Sequence, residues 1–327
     1  MMITEHPDAL AHRLVAGDFE PSAMAETLTR MASRGETPGE VTAMVNAFRD
    51  AAIPVYTCHD AVLDLCGTGG APFRTFNVST TSSFVVASLG VPVAKHGNRS
   101  NRGPCGSADV LEALGANIAL GPGAAGAILD EIGFTFLFAQ VYHPAMRNAA
   151  PVRKQLRSRT VFNMLGPLLN PVRAKRRQLI GVYSADLLEL LPPVLDAIGV
   201  EKALIVHGRP GMDEISVLDQ TRVVEIDRGS VDKYVIDPRV MGMYHPCAAE
   251  VRDLPPAQAA RATREVLSGV RGARRDMVVM NAACGLIAYG AADDLNVAIR
   301  KCERAIDSGK ALAKLEEYIS RSNAVTS

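Results

Sequence analysis

Residues 64–115, DLCGTGGAPFRTFNVSTTSSFVVASLGVPVAKHGNRSNRGPCGSADVLEALG, decide how this 327-residue chain folds. Two short apolar runs, Ala61–Leu65 and Val91–Ala94, have the length and composition of strands. Each runs into a turn rich in glycine and hydroxyl side chains. Each turn opens a stretch expected to be helical, Val78–Leu89 after the first and Ser107–Leu114 after the second. A strand–loop–helix unit is thus used twice in about fifty residues. Such loops gather backbone N–H groups and a helix N-terminus at one point, where an anion is favoured. The second turn adds Lys95, His96, Asn98, Arg99 and Arg102, so the pair reads as a cradle for a phosphorylated substrate.

Outward from the cradle, residues 8–52 are helical by period. Leu10, Leu14 and Val15 are followed by Met24, Leu28 and Met31, then by Val41, Val45 and Phe48. Pro21 follows Glu20 near a helix start. Thr37-Pro38-Gly39-Glu40 combines an N-cap, a proline at N1 and an early acid. Beyond the cradle the spacing predicts a helix over Gly121–Ile132 and a buried strand over Phe134–Phe138. A proline-broken helical stretch over 144–169 follows, then a strand over Gln178–Tyr183, a helix over Leu187–Ile198 and a strand over Ala203–His207. Alternating strands and helices imply α/β architecture with a mostly parallel central sheet flanked by helices, and ligands at the carboxyl ends of its strands. Residues 221–243 alternate and suit added antiparallel strands. Residues from about 255 to 320 read as helices. A small all-helical segment therefore precedes a larger α/β unit.

Lys and Arg total 35, as do Asp and Glu, so the net charge is zero and bulk attraction to nucleic acid or membrane is not indicated. The six cysteines form no C-x-x-C pair, which fits free thiols in a reducing cytoplasm. No apolar run has the length of a membrane span, and the first residues lack the basic start and apolar core of a signal peptide.

GTGG at 67–70 has neither the dinucleotide spacing nor the G-K-[ST] of a P-loop. By itself it is equally a tight strand–helix turn. Thr75, Asn77, Ser79 and Thr80 then place four short hydrogen-bonding side chains at a helix start, more than capping requires. Lys95-His96-Gly97-Asn98-Arg99 is either a solvated basic loop or a phosphate site, lysine acting as a point charge and arginine bidentately. Asp213-Glu214, in HGRPGMDEIS, is either an exposed acidic turn or the holder of a hydrated divalent cation that bridges phosphates. Arg153, on PVRKQLR, is otherwise a surface arginine in a basic run. Cys105 has no histidine–acid partner set, and His143, His207 and His245 lack metal-ligand spacing. No G-x-S-x-G is present, which removes a triad hydrolase.

Taken in order, GTGG…TFNVST (67–80), KHGNR…GSADVLEALG (95–115), FLFA…HPAM (136–146), PVRKQLRSRTVFNMLGPLLNP (151–171), VHG..GMDEIS (206–216) and NAA…SGKA (281–311) resemble the anthranilate phosphoribosyltransferase family, which has the nucleoside phosphorylase/phosphoribosyltransferase fold. The resemblance covers most of the chain. It implies phosphoribosyl transfer from 5-phosphoribosyl-1-pyrophosphate (PRPP) to the amine of anthranilate, releasing pyrophosphate, a step of tryptophan synthesis. It implies Mg2+ and a homodimer paired through the helical domain. The expected domains are 1–60, joined in space by helices from about 150–172, and 61–327. Carried onto this chain, PRPP falls to Gly67, Gly70, Ala71, Thr75, Asn77, Val78, Ser79, Thr80, Lys95, His96, Gly97, Asn98, Arg99, Arg102, Gly103 and Ser107. The acceptor falls to Gly67, His96, Asn98 and Arg153, and the metal to Ser79, Asp213 and Glu214. No side chain is expected to act as a nucleophile; the metal and the PRPP loop carry transition-state stabilisation.

Three departures bear on the acceptor. Ala71-Pro72 stands where the family usually has Asp-Gly, removing one acid near the metal. Arg102-Gly103 replaces serine, and Ala139-Gln140 replaces Ala-Pro. Other aromatic acids therefore stay open as acceptors. SNRG at 100–103 also resembles the loop of pyrimidine nucleoside phosphorylases. A nucleic-acid-binding relative without catalysis would need a basic surface and a degraded metal site, and neither is present.

Overall fold

A computed structural model describes residues 6–100 and 103–325. Three helices come first: α1 (Pro7–Ala16), α2 (Pro21–Arg34) and α3 (Pro38–Asp50). Each has proline in its first turn, where the missing N–H costs no intrahelical bond. Glu20 caps α2 by accepting from the Ala23 N–H. Thr37 and Glu40 form a reciprocal capping box on α3. The cradle follows, as β1 (Ala61–Gly67), α4 (Val78–Ala87), β2 (Val93–Gly97) and α5 (Ser107–Ala113). Next come α6 (Pro122–Ile132), β3 (Phe134–Phe138), α7 (Ala139–Tyr142) and α8 (Ala150–Gln155). After β4 (Lys175–Gly181), α9 (Leu187–Ala197) and β5 (Val200–Gly208), a hairpin adds β6 (Thr221–Asp227) and β7 (Ser230–Ile236). Arg228 and Gly229 both have positive φ, at 48° and 87°, as a two-residue hairpin turn with the strands' twist requires. Four helices close the chain: α10 (Pro256–Leu267), α11 (Ala273–Tyr289), α12 (Leu295–Asp307) and α13 (Lys310–Ala324).

The seven strands form one sheet in the order β3-β2-β1-β4-β5-β6-β7. The first five are parallel, and β6 and β7 are antiparallel. The architecture expected from the alternating pattern is thus present. Two details differ. β2 begins two residues later than its apolar run suggests and extends through Lys95, His96 and Gly97, which pair with Phe136, Leu137 and Phe138. Lys95 and His96 are strand residues, not loop residues. The 144–169 stretch is also much less helical than its pattern predicts. Outside α8 it holds only 3-10 turns at Pro144–Arg147, Val161–Asn163 and Gly166–Leu168. Pro144, Pro151 and Pro167 lack the N–H that a continuous helix would need.

Period-2 alternation sorts the sheet's apolar side chains onto two cores. Ile180, Val182, Ala203, Ile205, Val224 and Ile226 face a cluster built with α1–α3, α9 and the 149–169 connection. Leu179, Leu204, Val206 and Val223 face the larger cluster of α4, α6, α10–α13 and β1–β3. The sheet lies between the helical unit and the main helical layer, and the 149–169 connection packs with the N-terminal helices.

Register sets the site. β1 and β4 pair in step from Ala61↔Lys175 to Gly67↔Gly181, so two glycines lie side by side at the carboxyl edge. A Cβ on Gly181 would fall 1.7 Å from the Asp213 carbonyl oxygen, and one on Gly67 would fall 2.7 Å from Asp213 Oδ2. At Gly181 the neighbour is backbone, which cannot yield at such a distance. Gly181→Ala is expected to lower unfolding free energy by about 3 kcal/mol, the upper range for overpacking. Gly123→Ala, with open space around its added carbon, should change stability little. Urea titration of both variants checks the contrast, and equal stability of the two would contradict the packing argument.

Candidate active site

The carboxyl edge of β1, β2, β4 and β5 gathers four chain segments. The 67–76 loop is held from several sides. Thr68 N–H donates to the Gly181 carbonyl (2.9 Å), and Tyr183 N–H donates to Thr68 Oγ1 (3.1 Å). Gly69 N–H donates to Asp213 Oδ2 (2.8 Å). Phe73 N–H bonds Gly211 O (3.1 Å) and Phe76 N–H bonds Val251 O (3.1 Å). Gly69 and Gly70 take φ values of +67° and +72°, which glycine alone adopts without strain. Sequence separation of 144 residues is therefore closed at Asp213, which brings the acid pair to the glycine loop.

Ser79, in the first turn of α4, faces the Glu214 carboxylate with its N–H and hydroxyl. Lys95 Nζ donates to Leu65 O (2.5 Å) and to Ser79 Oγ (3.4 Å). This lysine is 2 % exposed, so its charge lies beneath the loop and beside Glu214. Burial pushes Asp213 up. Burial and then the neighbouring Asp213 push Glu214 up to about 8, against the pull of Lys95. Two adjacent carboxyls raised by burial and by each other are favoured by a further positive charge. Oxygen donors so placed, with a serine hydroxyl beside them, fit a hydrated divalent cation.

Not every expected phosphate contact is free. Arg99 donates from its guanidinium to Glu112 (2.8 and 3.0 Å) and to Asp109 (2.9 Å). Its charge is neutralised within the chain by acids of α5 that the basic-loop reading overlooked. Asp109 also accepts from Ser100 N–H and Gly106 N–H and so shapes the loop. Thr80 and Val78 are buried inside the helix packing. Asn77 sits at the N-cap of α4 but makes no capping bond; its amide reaches Cys105 O at 3.4 Å. The hydroxyls farther along α4 serve packing, Ser82 bonding Val278 O (3.1 Å) and Thr81 meeting Thr263 (3.2 Å). Thr75, Ser79 and Gly70 remain at the surface of the loop, while the Ala71 methyl is buried. Ser107 Oγ donates to Asn98 O and accepts from Asn98 N–H, both at 3.2 Å. This latch needs the bare Gly97, whose Cβ would lie 2.1 Å from that hydroxyl. Gly103 N–H donates to Ser100 Oγ (2.7 Å), and Arg102 lies outside the described residues.

On the acceptor side, Asn98 Oδ1 accepts from Arg99 N–H (2.8 Å) and from Gln140 Nε2 (3.3 Å). Gln140 thus lies against the acceptor residue named from sequence. Arg153, on α8, stacks over Phe162 at 5.6 Å, and burial lowers its pKa. His96 bonds Gly166 O through Nδ1 (3.1 Å) and meets His143 edge-on, ring centroids 5.1 Å apart. Burial drives His96 down to about 3 and His143 down to about 4, so both rings are neutral.

Sequence reasoning missed the groups underneath. Asp64, buried in β1, accepts from His96 N–H (3.1 Å) and from Asn170 Nδ2 (2.9 Å). Asn170 also donates to Ala94 O (2.8 Å). An aspartate inside the apolar run VLDLC was the available signal, since such a charge must be paired. His143, in the HPAM segment, gives no signal by metal-ligand spacing, and its ring meets His96 instead.

Residues 59–312 match the family model described as glycosyl transferase family, a/b domain. The anthranilate phosphoribosyltransferase of Moorella thermoacetica is 44% identical over 306 residues, 94% of this chain and 90% of that protein. The one from Thermomicrobium roseum is 45% identical over 316 residues, 95% of this chain and 90% of that protein. The crystal structure of the Thermus thermophilus enzyme matches with a TM-score of 0.92 and 38% identity, covering 99% of this chain and 97% of that one. The Saccharomyces cerevisiae enzyme in complex with PRPP and Mg matches with a TM-score of 0.88 and 26% identity, covering 98% and 94%. With a helical N-terminal domain, a mostly parallel α/β domain and relatives aligned along nearly the whole chain, this protein belongs to the anthranilate phosphoribosyltransferase family.

Proposed function

We propose that this enzyme transfers the phosphoribosyl group of PRPP to the amine of anthranilate and releases pyrophosphate, within tryptophan synthesis in the cytoplasm. The docking of the Asp213-Glu214 pair onto the glycine loop carries this reading, because it joins an anion site to a cation site at one strand edge. The relatives' names supply the substrates. Among the described residues no helix is long and apolar enough to cross a membrane, and all six cysteines are free thiols.

In this reading the pyrophosphate lies against the backbone of residues 67–71 and the hydroxyls of Thr75, Ser79 and Ser107. Breaking the C1–oxygen bond puts negative charge on the leaving pyrophosphate and positive charge on the ribose. Fixed N–H and O–H donors, with Lys95 beneath them, favour that negative charge without reorganising. Mg2+ held by Ser79, Asp213 and Glu214 would neutralise part of the leaving charge. Asn98 and Arg153 hold the acceptor's carboxylate, and His96, being neutral, adds no competing cation. An aromatic amine is already nucleophilic, so orientation suffices and no side-chain nucleophile is required. Arg99 serves the loop, not the substrate. The domain limits follow the same reading: residues 1–60 with the 149–169 connection on one side, the remaining α/β unit on the other. The helical unit is the pairing surface of a homodimer, expected in sedimentation at about twice the 34.8 kDa chain mass; a monomer at assay concentrations would remove the pairing.

The direct test is pyrophosphate release from PRPP with Mg2+, using anthranilate and other aromatic acids as acceptors. Turnover should be highest with anthranilate. Folded protein that turns over with no acceptor would sink the proposal. Asp213→Asn with Glu214→Gln should lower kcat at least about a hundred-fold, the scale of lost transition-state charge stabilisation, without shifting the melting temperature much.

The neutral histidine pair predicts a pH effect on stability. A group whose folded pKa is depressed takes up its proton only on unfolding, so stability is present above the unfolded value, near 6.5, and falls as pH drops toward the folded one. His143→Leu removes one such group. Its stability loss between pH 7 and pH 5 should be smaller than wild type's by about 2 kcal/mol, from roughly 1.4 kcal/mol per unit. Denaturant titration at both pH values reads this, and an unchanged difference would contradict a buried neutral His143.

A further inference from the structure

Arg159 lies in the 149–169 connection that also carries Arg153, and no substrate role is assigned to it above. Its Nη2 donates to the carbonyl of Gly70, and its guanidinium carbon lies 4.3 Å from the centroid of the Tyr183 ring. That ring is tied to the same loop, because Tyr183 N–H donates to Thr68 Oγ1 and Thr68 N–H to Gly181 O. A cation is therefore fixed from below by an aromatic face and delivers one donor to the glycine loop. Among the described residues no carboxylate lies within ion-pair distance of Arg159, so its charge stays uncompensated at the loop.

The loop needs such an anchor. Gly69 and Gly70 both take positive φ and have exposed α-carbons, and two successive glycines lose much conformational freedom on being ordered. Asp213 fixes the Gly69 N–H. Arg159 fixes the next carbonyl. In a planar trans peptide the C=O and the following N–H point in opposite directions. Holding the Gly70 carbonyl toward Arg159 therefore aims the Ala71 N–H away from it, and among the described residues no protein group accepts from that N–H.

We propose that Arg159 is a positioning residue for the pyrophosphate group: clamped on Tyr183, it holds the Gly70–Ala71 peptide so that the Ala71 N–H is presented to the anion. The proposal rests on the functional reading above. It also links the two halves of the site, since the connection that carries Arg153 toward the acceptor carries Arg159 to the pyrophosphate loop.

Steady-state kinetics of Arg159→Gln, Arg159→Lys and Tyr183→Leu test it, with inorganic pyrophosphate plus Mg2+ as the inhibiting probe. Arg159→Gln should raise both the KM for PRPP and the inhibition constant for pyrophosphate about ten-fold, the scale of a lost hydrogen bond to an anion. The KM for anthranilate should stay within about two-fold of wild type. Arg159→Lys should recover most of the loss, because an ammonium still donates to the Gly70 carbonyl. Tyr183→Leu should fall between, and it carries the test if Arg159→Gln lowers the melting temperature. Unchanged PRPP and pyrophosphate constants, or equal rises in both substrates' KM values, would overturn the clamp. Wild-type protein without turnover would instead overturn the functional reading, so the two failures are distinguishable.

Discussion

The site depends on one close approach: the backbone and carboxylate of Asp213 lie across Gly67 and Gly181, where neighbouring strands end without side chains. A carbonyl oxygen 1.7 Å from where a Cβ would stand leaves no other residue possible at Gly181 without moving the loop. Once Asp213 is seated, its Oδ2 takes the Gly69 N–H and sets the loop. Glu214 follows it in sequence and meets Ser79 and Lys95. The glycine shelf, the acid pair and the start of α4 are consequences of a single register, Gly67↔Gly181.

Charge is layered beneath this shelf. Asp64 lies in the sheet, accepting from His96 N–H and Asn170, and Lys95 is buried beside it. Burial raises Asp64 to about 6, while Lys95 and the hydrogen bonds from Asn170 and His96 oppose that rise. A buried charge left unpaired is strongly destabilising, so these partners must be in place before the upper layer can form. The histidines stay neutral for the same reason of burial. Lys95 is the buried amine beneath the glycine loop, between Asp64 and Glu214.

Much of the site was legible because its parts are short strings with strong local meaning. GTGG followed by TFNVST specifies a turn and a helix start, and GMDEIS specifies an acidic turn after a strand. The differences arose where a side chain's partner lies elsewhere. Arg99 reads as a phosphate ligand in the string KHGNR, but Asp109 and Glu112, ten and thirteen residues on, neutralise it. Lys95 and His96 read as loop residues because an apolar run ends before them, yet pairing with Phe136 and Leu137 continues the strand. Arg159 gave no local signal at all, since its carbonyl partner is 89 residues away.

Periodicity and capping along the chain determined most of the helices and the parallel sheet, and the ordered motifs carried the resemblance to the family. These are properties of neighbouring residues, and local sterics and burial enforce them. Tertiary structure alone decided which charges are free. Asp213 and Glu214 reach the glycine loop only through the sheet's register. The Arg99 guanidinium is paired with acids of α5, and Arg159 lies over Tyr183. The physical reason is that pairing and desolvation depend on distances of a few ångströms between segments far apart in the chain. A linear sequence states which charges exist, and the fold states which of them are left for a substrate.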